Sequence, residues 1–202
     1  ILEGRVKTLH PIIHAGILAK DKKSIDSLKN INYSLIDIVV VNLYPFESTI
    51  SKSNCKYDDA IENIDIGGPT MLRAAAKNHN RVTVITEPKD YEAIAKEINE
   101  NNQTSINTRR KLAIKVFQKI SEYDAMIHHY LMSHENVEES TLPSKIHITL
   151  EKINDLRYGE NPHQDASLYN IKYPKVEGFN FKQLAGKSLS YNNLVDTESA
   201  LS

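Results

Sequence analysis

Side chains able to move protons or hold anions are concentrated in four short stretches of this sequence. In NIDIGGPT, residues 63–70, Asp65 enters a turn made by Gly67 and Gly68, and Pro69 suits the opening of a helix. A helix start leaves backbone N–H groups unpaired, so such a turn suits an anion or a developing oxyanion. On the following helix Thr70, Arg73 and Lys77 stand three and four residues apart and form one polar stripe. A carboxylate close to a lysine makes a proton-transfer pair, because each charge shifts the pKa of the other. The same residues also fit an ordinary glycine turn before an amphipathic helix with a solvated face.

GRVKTLHP, residues 4–11, sets Arg5, Lys7 and Thr8 between a glycine and a proline. An anion-gripping loop has this make-up, and so does a solvated basic turn. NLYPF, residues 42–46, ends an apolar run; ligands of open parallel sheets bind outside the carboxyl ends of strands, which would turn Asn42 and Tyr44 toward a site. Packing of Tyr44 on Pro45 and Phe46 is the alternative. In LRYGENPHQ, residues 156–164, Arg157, Tyr158, Asn161 and His163 form a set able to bind a phosphate and a base. His10 and His14 are four apart, as in a helical zinc pair, but no third ligand at sensible spacing accompanies them and Cys55 is isolated. No metal is expected.

The elements that must position these groups follow from periodicity. LIDIVVVNLY, residues 35–44, is almost continuously apolar, as in a strand covered on both faces, and RVTVIT, residues 81–86, is a second strand. YDDAIENI and PTMLRAAAKNH between them are helical in composition. PKDYEAIAKEIN follows, with Pro88 in a first turn and Tyr91, Ile94, Ala95 and Ile98 on one face. A longer helix over residues 107–131 turns Ala113, Val116, Phe117, Ile120, Tyr123, Ile127 and Tyr130 to one side. His128 and His129 lie on the same helix and read as surface residues. Alternation of this kind predicts an α/β layer fold with parallel pairing. Near residue 133 the composition becomes polar and acidic, which predicts a linker over 134–150 between a domain at 1–133 and a second at 151–202. Strand-like KIHITL closes the 134–150 span, and the second domain holds ASLYN and ends in helical NNLVDTESALS, so the chain reads as truncated at both ends.

Bulk properties narrow the classes. The 202 residues are 40% apolar and 25% charged, with a net charge of −1. This balance excludes binding of a nucleic-acid polymer by bulk electrostatics. The longest apolar run, IDIVVV, is too short to span a bilayer. One cysteine fits a reducing cytoplasm.

Taken in order, GRVKTLHP, VVNLYPFE, ENIDIGGPTMLRAAAKNH, LRYGENPHQ and SYNNLVDTESAL closely resemble the bifunctional purine-biosynthesis enzymes that join an IMP cyclohydrolase to an AICAR formyltransferase. The resemblance implies a methylglyoxal-synthase-like parallel sheet flanked by helices. Behind it would come the opening of a transformylase domain of cytidine-deaminase-like α/β fold. It implies catalytic roles for Lys7, Tyr44, Asp65 and Lys77, which should converge on one pocket. Arg5, Thr8, Asn42, Ile66 and Gly67 match positions lining the cyclohydrolase nucleotide site. Arg157, Tyr158 and His163 match nucleotide-binding positions of the transformylase. The implied substrates are AICAR, formamido-AICAR and IMP, in a homodimer with no membrane partner. 10-Formyltetrahydrofolate would be co-substrate of the formyl transfer, and the ring closure would need no cofactor. The phosphate-gripping turn before Ile1 and the folate pocket beyond Ser202 would lie outside the chain. A regulatory nucleotide-binding domain of the same fold is the competing reading, but it has no need for Tyr44, Asp65 and Lys77 together.

Overall fold

The valine-rich run condenses into β1 (Ile38–Val40), paired in parallel with β2 (Thr83–Ile85), with Val39 opposite Val84. This is a computed structural model, and it describes residues 6–134, 145–173 and 183–201. The chain divides into two units, Ile1–Ile127 and His128–Ser202. β1 is shorter than expected and is covered on one face only. Successive strand side chains point to opposite sides, so Val39 enters the core while Ile38 and Val40 remain 45% and 51% exposed. All three residues of β2 are buried.

Before β1 come two helices that periodicity did not reveal, α1 (Pro11–Leu18) and α2 (Lys22–Asn30). After it follow the short α3 (Phe46–Ile50), α4 (Tyr57–Glu62) and α5 (Gly67–Lys77). α5 starts two residues earlier than Pro69 suggested, which leaves the proline in the first turn, where its missing N–H costs no intrahelical bond. Pro88 belongs to a separate 3-10 turn, Pro88–Asp90, ahead of α6 (Tyr91–Asn101). α7 (Ile106–His134) buries Leu112, Ala113, Val116, Ile120, Tyr123 and Met126. Phe117 departs from the expected buried face: it is 44% exposed, with the Arg73 guanidinium over its ring at 5.7 Å.

The core of the first unit joins Ile17 of α1, Val39, Leu72, Ala75 and Ala76 of α5, Val84, Ile94, Val116 and Ile120. The alanines of α5 keep that helix close to its neighbours, because they add no bulk and lose no rotamer freedom. α1 is fastened by its last carbonyls, which a helix end leaves unpaired. The buried Asn78 amide donates to Ile17 O at 2.7 Å and Ala19 O at 3.0 Å. Arg81 donates through Nε to Ala19 O at 2.8 Å and through Nη2 to Gly16 O at 2.6 Å, and its Nη1 pairs with Asp37. The stretch carrying Lys7 and Thr8 leads directly into this anchored helix.

In the second unit β3 (Thr149–Asp155) and β4 (Ser167–Tyr173) pair antiparallel, with register shifts, and α8 (Tyr191–Leu201) follows. Leu150 and Ile153 of β3 are 56% and 49% exposed. The acidic segment at 135–144, the centre of the expected linker, lies outside the described residues.

Asn78→Ala leaves two carbonyls of the α1 terminus without this donor. Loss of about 2 kcal/mol in urea denaturation is expected, and an unchanged midpoint would remove the side chain from the clamp.

Candidate active site

Lys7 and Thr8 before α1, Asn42 and Tyr44 after β1, and Asp65, Ile66 and Gly67 at the start of α5 line one cavity of about 560 Å³. This is the carboxyl end of β1, where open parallel sheets place their ligands. Tyr44 is 49% exposed, so it is not simply packed away on Pro45 and Phe46. Arg5 lies outside the described residues. Lys77 is not among the lining residues. It occupies the last turn of α5, and at about 1.5 Å per residue the helix carries it about 15 Å from Gly67. Of the four catalytic candidates, Lys7, Tyr44 and Asp65 line the cavity, and Lys77 is exposed on α5, beyond the lining Met71 of the same helix.

The helix start is not an empty anion site. Gly68 N–H donates to Asp65 Oδ1 at 2.8 Å, and Tyr44 N–H reaches Oδ2 at 3.4 Å. Asp65 thus caps α5 from just ahead of its N-terminus, where negative charge is favourable. A carboxylate offers about four acceptor positions, so Asp65 keeps acceptor capacity for a ligand.

The glycine pair answers to space. Among the described residues only Gly186 is a glycine with positive φ, so neither Gly67 nor Gly68 is needed for a left-handed backbone. A Cβ at Gly67 would stand 2.2 Å from Thr8 Oγ1, and one at Gly68 would stand 2.4 Å from Asp65 Oδ2. Two candidate side chains occupy the volume that any other residue would fill.

Two tyrosines that the sequence presented as apolar-face residues support these groups. Tyr91 Oη lies 2.8 Å from Asn42 Nδ2 and holds the amide at the cavity edge. Tyr123 of α7 accepts the Asp65 N–H at 2.8 Å, while its ring meets Phe46 edge-on at a centroid distance of 6.2 Å. Burial above all pushes the Tyr123 phenol above its usual pKa. A polar partner contacted from an apolar helix face is the signal that periodicity misses.

Around Arg157 the second unit forms a tight local network. Arg157 N–H donates to Leu189 O at 2.8 Å, and Tyr191 N–H donates to Tyr158 O at 3.1 Å. The Arg157 guanidinium stacks over the Tyr158 ring at 4.9 Å and donates to its hydroxyl at 3.3 Å. Hydrogen bonding from Ser190, then Arg157 itself, lowers the Tyr158 pKa. Arg157 and His163 are exposed, beside a turn closed by Gly159 N–H to Gln164 O at 2.7 Å. No group of three or more His, Cys, Asp and Glu able to hold a metal occurs among the described residues. His10 is instead the N-cap of α1, its Nδ1 accepting from Ile12 N–H. Among the described residues no helix is long and apolar enough to cross a membrane.

Residues 75–202, more than half of the chain, match the AICARFT/IMPCHase bienzyme family. The chain belongs to this family. Residues 2–70 match the MGS-like domain, in accord with the α/β fold and parallel pairing expected for a bienzyme of this kind. Over its whole length the chain is 53% identical to the bifunctional purine biosynthesis protein PurH of Caldicellulosiruptor saccharolyticus. It is 49% identical, again over its whole length, to PurH of Bacillus mycoides. The chain spans about 40% of the length of these curated relatives. A solved structure, the crystal structure of ForH, is similar with a TM-score of 0.56 and 31% identity, covering 63% of this chain and 68% of that one. Within the bienzyme family fold, the cavity of this chain is built around the glycine pair.

Gly68→Ala is expected to displace the Asp65 carboxylate and weaken the cap, lowering stability by about 1 kcal/mol. A crystal structure of the variant with Asp65 unmoved would refute this packing.

Proposed function

We propose that the full protein performs two consecutive steps of purine nucleotide synthesis. A formyl group passes from 10-formyltetrahydrofolate to AICAR, and the resulting formamido-AICAR closes to IMP with loss of water. One observation carries the second step: a cation, a phenol and a carboxylate from three separate segments, Lys7, Tyr44 and Asp65, line a single cavity. Membership of the bienzyme family supports both steps.

Ring closure joins the carboxamide nitrogen to the formyl carbon. The carbonyl electron pair moves to the formyl oxygen, which is then protonated and leaves as water. The carboxamide nitrogen must give up one proton, the formamide nitrogen giving up the other as the C=N bond forms, and the open acceptor capacity of Asp65 suits the first of these tasks. Lys7 and the Tyr44 hydroxyl suit the other end, as donors to the formyl oxygen while it gains charge and departs. Thr8, Asn42, Ile66 and Gly67 hold the nucleotide so that the two reacting groups face each other, which supplies much of the acceleration. Arg5 joins them by resemblance, and Lys77 has its catalytic role on the resemblance alone. The nucleotide of the formyl transfer is read onto Arg157, Tyr158 and His163. In this reading residues 1–133 serve the cyclohydrolase, 134–150 link, and 151–202 open the transformylase. The enzyme works as a cytoplasmic homodimer.

The test is to assay the full-length protein for both reactions. Lys7→Ala is expected to lower kcat of ring closure by about 100-fold or more and to spare formyl transfer. Nucleotide binding without turnover in the wild type would favour a regulatory domain instead. Arg157→Ala is expected to raise the apparent KM for AICAR in formyl transfer by about tenfold, with ring closure unaffected. An unchanged KM would remove Arg157 from that site.

A further inference from the structure

Tyr123 sits on the inner face of α7 and is only 4% exposed. A phenylalanine would fill that volume without burying a hydroxyl, and a buried hydroxyl is favourable only where it finds partners. Both partners of Tyr123 Oη belong to one turn remote in sequence. The hydroxyl accepts the Asp65 N–H at 2.8 Å and donates to Asn63 O at 3.4 Å. These groups flank Ile64, so a single oxygen pins the turn on both sides. The raised pKa of the buried phenol keeps its proton in place for Asn63. Asp65 then directs its carboxylate to Gly68 N–H and Tyr44 N–H.

The post itself is firm. Val116 and Ile120, lower on the same face of α7, lie in the core at 0% and 2% exposure. Arg109 near the helix start donates to His79 O at 2.9 Å and Asn80 O at 3.0 Å.

We propose that Tyr123 is a positioning residue for ring closure: its hydroxyl fixes the turn from Asn63 to Asp65 and so aims the carboxylate into the cavity. The inference rests on the proposed role of Asp65, and Tyr123 touches no substrate.

Tyr123→Phe in the full-length protein keeps the ring on Phe46 and deletes only the oxygen. A fall in kcat of ring closure of about ten- to a hundredfold is expected, since small misplacements of a reacting group cost that much. KM should stay within about twofold, and formyl transfer should be unchanged. In an Asp65→Asn background the same substitution should cost nothing further, because residues acting through one another are not additive. A purely structural role predicts equal losses in both backgrounds, and that result overturns the proposal, as does wild-type kcat in Tyr123→Phe. Hydrogen exchange of the Asp65 amide provides a second measurement that needs no turnover. Faster exchange in Tyr123→Phe upholds the tether, and unchanged exchange refutes it. A wild-type protein with no ring-closing activity would overturn the functional reading, while the exchange measurement would still decide the tether.

Discussion

Two side chains standing where two Cβ atoms would otherwise be set the geometry of the cavity at the start of α5. Thr8 fills the space at Gly67 and Asp65 fills the space at Gly68. The missing Cβ at Gly67 lets the stretch before α1 lie close against the first turn of α5, with Lys7 at the same cavity as Asp65. Asp65 also has a structural duty, since its carboxylate takes the Gly68 N–H that the helix start leaves over. A helix cap and a candidate proton acceptor are one group.

The wider fold keeps that contact in register from two sides. Asn78 and Arg81 close the carbonyl end of α1, so the Lys7–Thr8 stretch hangs from a helix locked to the end of α5 and the start of β2. α7 lies along the core through Val116 and Ile120 and reaches the Asp65 turn through Tyr123. Each support uses a polar side chain to satisfy backbone groups of another segment. Such groups are costly to leave unpaired inside a protein, so these supports fix a geometry as well as stabilise it.

Parallel pairing was legible in the sequence because Val39–Val41 and Val82–Ile85 are β-branched and, but for Thr83, apolar, and the long helix was legible from its period of 3.6. α1, α2 and α3 were not. PIIHAGIL is apolar almost throughout and has no polar face, KKSIDSLKN buries only Leu28, and FESTI is a single turn and a half. Lys7, Thr8, Asn42, Tyr44, Asp65, Ile66 and Gly67 were brought together by motif resemblance, and the cavity unites them. The polar stripe on α5, which the sequence left open between a reactive and a solvated face, is exposed at Thr70, Arg73 and Lys77, and periodicity gives direction around a helix and not distance along it, so it could not say that Lys77 lies beyond the lining Met71. The glycines were legible as a tight turn, but not which side chains their bareness admits: Thr8 at Gly67 and Asp65 at Gly68. Tyr123 was hidden because its tie to Asp65 crosses 58 residues of sequence.

The two ends of the cavity differ in readiness. Asp65 is already held by three hydrogen bonds to its backbone and carboxylate, so a ligand meets an acceptor that needs no further ordering. Lys7 is exposed, and immobilising a lysine side chain forfeits rotamer entropy of about 1.5–2 kcal/mol. The cost of ordering side chains around a ligand that engages both ends therefore falls chiefly on the cationic side of the cavity.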